Sequence, residues 1–375
     1  MATSLSGLFT PLRLGRTTLR NRFVMPAMQR GWVEAGAPRA ELADYYRRRA
    51  EGGVALVIGE SAAVDHPSAT VQPTACRLDA RTAGAWARCV EAVHGAGGAM
   101  FLQLWHEGAL RNPSDGHTLS PSGTGYPGHA AGRPASCGDL EALRDAFVRS
   151  ARLAADIGAD GVEVHACHGY LLDQFLWAAT NTRSDGYGGP DIAQRVRFPA
   201  EIVAAIRAAC GPEFLISLRF SQWKEYDYNA RVAQTPQELA VMLGALKAAG
   251  VNLFHASQRR FWTPAWDSSP LSLAAWTRRL GGLPAIAVGS VGLDRDVMQT
   301  FTGDAEPQTA TEQTVRELTR GFDAGDFDLV AIGRSLIGDP DWVRKVREGR
   351  AAEIRGFRRE DLGRLEWEFA GPLPG

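Results

Sequence analysis

A chain of 375 residues with 45% apolar and 22% charged side chains has enough core-forming material for one large domain or two small ones. Its net charge of -1 gives no general attraction to nucleic acid or to an anionic membrane, and no apolar run approaches a membrane span. Five scattered cysteines without a C-x-x-C pair argue against a disulfide framework or an iron–sulfur cluster, and residues 1–20 lack a signal-peptide core, so a cytoplasmic protein is expected.

Residues 12–15 and 18–21 read as a short hairpin around Gly15-Arg16-Thr17, a plug for one end of a barrel. Short apolar runs then predict eight strands, at 23–26, 54–59, 99–104, 161–165, 214–219, 251–255, 285–289 and 328–333. Segments 39–51, 81–94, 140–157, 192–209, 236–249, 271–280, 313–324 and 340–348 carry apolar residues at helical spacing. Several close on glycine, and Thr235-Pro236 opens one with a cap and a first-turn proline. Eight strand–helix pairs predict an α/β protein, a closed (β/α)8 TIM barrel forming a single domain over residues 1–375. Two excursions, 107–137 and 258–269, follow the third and sixth strands on the face where such barrels carry their chemistry. The first is a surface loop or a border of the substrate opening; the second offers Phe261, Trp262 and Trp266 as an aromatic wall.

Polar residues gather at the strand tips. They are Met25-Pro26-Ala27-Met28-Gln29, Gly59-Glu60-Ser61, Gln103-Leu104-Trp105-His106, then His165, His168 and Tyr170, then Arg219, Gly289-Ser290 and Gly333-Arg334. Glycine at the last two tips lets backbone N–H groups approach a phosphate, with Arg334 as a charge-assisted partner, so a phosphate-bearing ligand is expected. Gln103 and Arg219 end apolar strands, where an unpaired polar group costs about 1–3 kcal/mol; they bind each other and water, or a polar cofactor. The His165-x-x-His168 spacing admits a metal half-site, a structural pair or a substrate anchor. Cys167 is expected to point away from its neighbours, so no metal is assigned and substrate anchoring is taken forward. Only three lysines occur, and a Schiff-base enzyme needs one buried on a strand, which leaves Lys224 as the candidate.

From Leu8-Phe9-x-Pro11-Leu12 and Asn21-Arg22 to Ile332-Gly333-Arg334-x-Leu336 and Asp339-Pro340, the chain resembles the old yellow enzyme family of FMN-dependent ene-reductases. The most specific pieces are Gln103-Leu-Trp-His106, His165-x-x-His168-Gly-Tyr170-Leu-Leu and Asn181-x-Arg183-x-Asp185-x-Tyr187-Gly188-Gly189. The resemblance implies FMN, reduced by NADH or NADPH, and hydride transfer from flavin N5 to the β-carbon of an α,β-unsaturated carbonyl compound or similarly activated alkene. It implies flavin contacts from Ala27, Met28, Gln29, Ser61, Gln103 and His165, with Arg219 beside the N1 edge. Gly289, Ser290, Gly333 and Arg334 would hold the phosphate. His165 and His168 would hydrogen-bond the substrate carbonyl, and Tyr170 would protonate the α-carbon. Gln29 stands where the family usually has threonine or cysteine, and Cys167 replaces the more usual alanine. No cysteine cluster or second dinucleotide-binding domain follows, so the larger dienoyl-CoA reductase and amine dehydrogenase relatives fit less well.

Rival readings stay open at this point. One is a related flavin-dependent dehydrogenase, oxidase or desaturase; another is a flavin-free phosphate-binding aldolase or isomerase; a third is a flavin-binding barrel without catalysis. The expected partner is a small-molecule activated alkene, and a homodimer is the default assembly.

Overall fold

The computed structural model describes residues 5–111, 115–126, 129–303 and 305–366. Eight parallel strands close on themselves: β1 (Phe23–Met25), β2 (Leu56–Val64), β3 (Ala99–Trp105), β4 (Gly161–His168), β5 (Leu215–Lys224), β6 (Leu253–Ser257), β7 (Ala285–Val288) and β8 (Leu329–Ala331). Closure comes where Val330 of β8 pairs with Phe23 of β1, and Val24 of β1 with Leu56 of β2. The strands are buried along nearly their whole length, as expected where helices cover the outside of a barrel. A short extra strand, Cys76–Leu78, lies beside the far end of β2.

The predicted barrel is therefore present, with two local differences. The helix expected over 192–209 is two, Ile192–Arg195 and Arg197–Cys210. Pro199 has no N–H for the carbonyl of Arg195, so the ladder restarts there. Strands β2, β4 and β5 run several residues beyond their expected ends, because their polar residues find partners inside the sheet. Gly59-Glu60-Ser61 thus lies in the body of β2 and not at its tip, at a point where the ladder to β3 shifts register between Ile58 and Ser61.

The hairpin pairs Leu12–Leu14 with Thr17–Leu19. Its Leu14 and Leu19 cluster with Leu56, Leu215, Leu253 and Leu329, the first residues of four barrel strands, and so close the N-terminal mouth. At the other mouth, the excursion after β3 meets the segment after β5, where the Tyr226 hydroxyl donates to the Gly125 carbonyl at 3.0 Å. Residues 112–114 and 127–128 of that excursion lie outside the described residues. Arg183 braces it by donating to the backbone carbonyls of Pro121, at 2.8 Å, and Ala135, while pairing with Asp185. Among the described residues, no helix is long and apolar enough to cross a membrane.

Candidate active site

Side chains two apart on a strand share a face, so Glu163 and His165 of β4 both enter the barrel. Glu163 is fully buried, and it accepts from Gln103 Nε2 (2.8 Å), Ser217 Oγ (3.0 Å) and His255 Nδ1 (2.8 Å). Burial pushes this carboxyl up, but His255, Arg219 and the Gln103 hydrogen bond outweigh it and hold Glu163 below the ordinary carboxylate range.

With its amide nitrogen committed to Glu163, Gln103 must accept through Oε1. It takes the Ser61 hydroxyl at 2.5 Å and the Nδ1–H of His165 at 2.9 Å. Burial, then Arg219, pushes the His165 imidazole down to about 3, so the ring is neutral, protonated at Nδ1 and carrying its lone pair on Nε2. A parallel chain sets His168. Arg219 Nη2 donates to Ser257 Oγ at 3.3 Å, and that hydroxyl lies 2.8 Å from His168 Nε2. That hydroxyl has two lone pairs and one proton, so it accepts from both groups or gives its own proton to His168 Nε2; in the second arrangement the His168 ring proton is on Nδ1. Burial, then Arg219, also holds His168 well below its ordinary value.

The end of β4 is irregular. His165 pairs with Arg219 and Ala166 with Phe220, but His168 pairs with Lys224, and its backbone is left-handed at φ 64°. This shift brings the Cys167 thiol to 3.4 Å from His165 Nε2, so Cys167 does not point away from its neighbours as expected. Gly169 follows at φ 93°, where a Cβ would sit 2.7 Å from the Tyr226 ring, so only glycine fits. The turn delivers Tyr170 edge-on to His165 (centroids 5.2 Å) and to Trp105 (5.3 Å). Burial, with Glu225 and Glu107 adding to it, pushes the phenol up and keeps it protonated.

Beside this group, at the C-terminal ends of the strands, lies a cavity of about 300 Å³. Ala27, Met28, His168, Arg219, Gly289, Ser290, Gly333 and Arg334 all line it, together with Trp223, Glu225, Ser257, Gln258 and Arg259. Gly289 has φ 140°, and a Cβ there would run into the Gln258 carbonyl. Among the described residues, no backbone carbonyl accepts from the N–H of Gly289, Ser290, Gly333 or Arg334. Arg334 is steadied by the carbonyls of Asp296 (3.1 Å) and Arg295 (2.8 Å), and burial pushes it down to about 10, still a cation. Arg219 Nε and Arg259 Nε are buried without a hydrogen-bond partner. Open donors and arginines around one cavity suit an anionic, phosphate-bearing ligand.

Not every expected residue reaches this cavity. Ser61, Gln103, His165 and Tyr170 are outside the lining, and their group meets it where the His165 ring stands 5.7 Å from that of His168, whereas Gln29 is exposed and also outside the lining. Phe261 and Trp262 line a separate cavity with Leu271 and Phe327, and Trp266 packs on Trp276, so the expected aromatic wall faces elsewhere; only Gln258 and Arg259 of that excursion turn inward. Lys224 is no free amine. It is buried on Asp173 at 2.8 Å and on the Gln222 carbonyl at 3.2 Å. Sequence reasoning missed Ser257, although it ends β6, and Glu163, although it stands two before His165. It also passed over His255, whose role depends on a neighbouring strand.

Residues 7–353 match the sequence profile of the NADH:flavin oxidoreductase / NADH oxidase family. The chain is 33% identical to an NADH oxidase of Thermoanaerobacter brockii over 94% of its own length, but spans only 52%, about half, of that relative. It is 28% identical to 12-oxophytodienoate reductase 7 of Oryza sativa subsp. japonica, covering 91% of this chain and 87% of that one. Its fold is similar to that of morphinone reductase solved with tetrahydroNAD (TM-score 0.78, 25% identity, 95% and 94% of the two chains). It is similar also to the old yellow enzyme homologue from Zymomonas mobilis (TM-score 0.77, 26% identity, 95% and 96%). With that agreement over nearly its whole length, the chain belongs to the NADH:flavin oxidoreductase / NADH oxidase family, the old yellow enzymes, nicotinamide-dependent oxidoreductases built around FMN.

Proposed function

We propose that this chain is an ene-reductase that uses NADH or NADPH to reduce the C=C bond of α,β-unsaturated carbonyl compounds or similarly activated alkenes. The observation that carries the reading is one cavity shared by His168, Arg219 and Ser257 on one side and Gly289, Ser290, Gly333 and Arg334 on the other. The unpaired Arg219 Nε and the open backbone N–H groups fit FMN. Gly289, Ser290, Gly333 and Arg334 would hold its phosphate, Arg219, Gln103 and Ser61 the polar edge of its ring, and Ala27 and Met28 an apolar face. When bound, FMN supplies the hydride that adds to the β-carbon.

The chain's own groups do the rest. His168, with its proton on Nδ1, donates to the substrate carbonyl. His165 joins it once its proton moves to Nε2, which requires Gln103 to stop accepting at Nδ1. Neutral donors fixed before the reaction stabilise the negative charge that grows on that oxygen. Tyr170 then gives its phenolic proton to the α-carbon, completing addition of a hydride and a proton. Residues 1–375 act in this reading as one catalytic domain on a small molecule.

The test is the visible spectrum of the purified protein, followed anaerobically. Flavin absorption should bleach with NADH or NADPH and return on addition of cyclohexenone. No flavin after reconstitution with FMN, or reduced flavin that the enone leaves reduced, would overturn the proposal.

A further inference from the structure

The irregular end of β4 gathers three side chains that ligate metals. His165, Cys167 and His168 each bring a nitrogen or sulfur atom, and these atoms all lie within 4.8 Å of one another. Among the described residues, no other group of three His, Cys, Asp or Glu side chains comes together in this way. The 3.4 Å between Cys167 Sγ and His165 Nε2 matches one edge of a zinc tetrahedron. Bonds of about 2.3 Å to sulfur and about 2.0–2.1 Å to nitrogen, at the tetrahedral angle, put those two ligands about 3.6 Å apart.

The surroundings favour ligation as well. A histidine that holds a metal through one nitrogen usually engages an oxygen through the other. Here Gln103 Oε1 meets His165 Nδ1 at 2.9 Å, which leaves His165 Nε2 for a ligand; Ser257 Oγ meets His168 Nε2 at 2.8 Å, and with the ring proton on Nε2, donated to that hydroxyl, His168 Nδ1 is free for a ligand. Arg219 opposes a cation here, but loss of the Cys167 proton on binding places a thiolate in the site and offsets one charge.

We propose that His165, Cys167 and His168 form a three-ligand site for a zinc-type divalent cation, with the fourth position open to water, and that the cation inhibits the enzyme by occupying the imidazoles needed by the substrate carbonyl. Binding exchanges the Cys167 proton and waters of the hydrated cation for one zinc–sulfur and two zinc–nitrogen bonds, with no change of oxidation state. The site itself stands on geometry; the inhibition rests on the ene-reductase reading.

The experiment counts zinc retained by FMN-loaded protein after dialysis against zinc chloride and gel filtration. Wild type should keep one zinc per chain, as should Cys137→Ala, which removes the exposed cysteine. Cys167→Ala and Cys167→Ser, with FMN content as the check on folding, should bind at least about tenfold more weakly, since even outer contacts of a metal ligand are worth about 10–100-fold. No zinc on wild type, or equal zinc on wild type and either Cys167 variant, overturns the site. Should neither variant fold, cadmium added to Cys137→Ala protein decides: a thiolate-to-cadmium absorption band supports the site and its absence overturns it. Zinc should also raise the apparent KM for cyclohexenone, reversibly on chelation; zinc bound without that effect overturns the inhibition. If metal-free enzyme never turns over the enone, the ene-reductase reading fails, and the zinc count still decides the site.

Discussion

At the N-terminal mouth of the barrel, Leu56, Leu215, Leu253 and Leu329 begin their strands and pack under Leu14 and Leu19 of the hairpin. At the C-terminal mouth the same sheet carries Arg219, His165, Ser257 and His168 close to its strand ends, and there side chains meet through hydrogen bonds. The apolar mouth is filled. The polar one keeps Arg219 Nε and His255 Nε2 buried without partners, an arrangement that costs stability and suits a site that receives a polar ligand. The contrast teaches that the barrel divides labour along the length of each strand, with stability at one end and chemistry at the other.

The sharpest way to probe that division is to strike the two ends separately. Tyr170→Phe should slow reoxidation of reduced flavin by an enone about 10²–10⁴-fold. Flavin reduction by nicotinamide and the melting temperature should not change, because among the described residues nothing hydrogen-bonds the Tyr170 hydroxyl. Stopped-flow absorbance and a thermal melt read both, and wild-type reoxidation would remove the acid role. Leu19→Ala at the other mouth should cost about 2–5 kcal/mol of stability in a denaturant titration and leave kcat as it was. A fall in kcat at full FMN content would break the division.

Glu163→Gln falls between the ends. It removes the acceptor shared by Gln103, Ser217 and His255 and should cost about 1–3 kcal/mol. It should also lower turnover, because Gln103, which in the proposed reading holds the polar edge of the flavin ring, then loses the acceptor that fixes its amide. Loss of stability alone would make Glu163 purely structural.

A separate effect concerns pH. His165 and His106 are both pushed down to about 3, by burial first and then by neighbouring positive or ionisable groups, Arg219 for the one and His66 for the other. Unfolded, each titrates near about 6.5. Between those values the unfolded chain binds more protons, so stability should fall as pH drops from about 6.5 toward about 3. Turnover should show no step near about 6.5 from His165 or His168, since both are already neutral there. Denaturant midpoints and kcat/KM between about pH 7 and about pH 5 check the two statements.

Much of this is legible in the sequence, for a physical reason. A strand buried on both faces must be an apolar run, and a helix on a barrel must repeat its apolar face, so eight of each stand out. Ala27, Met28, Gly289, Ser290, Gly333 and Arg334 are legible because position just past the end of a parallel strand assigns them to one mouth, whereas Arg219, expected at a tip, lies in the body of β5 and still lines the cavity. The side of the strand on which Cys167 lies is not, because the shift between Ala166 and His168 depends on how β4 pairs with β5. Glu60 and Ser61 look like a strand end until Ser61 finds Gln103 and Glu60 accepts the Arg30 N–H at 2.6 Å. Phe261 looks like a wall of the cavity until it meets Phe327, a residue of a distant segment.

The grip of Arg183 on the excursion after β3 has a consequence for directed evolution. It holds carbonyl oxygens of Pro121 and Ala135, and every amino acid carries a carbonyl oxygen. Side chains between those two anchors can therefore vary without loosening the clamp, except at Gly123, Gly125 and Gly132, where a Cβ would press on Pro134, Ala109 and Thr118, so a library confined to the other described positions of that stretch, with Arg183 and Asp185 kept, preserves its anchorage.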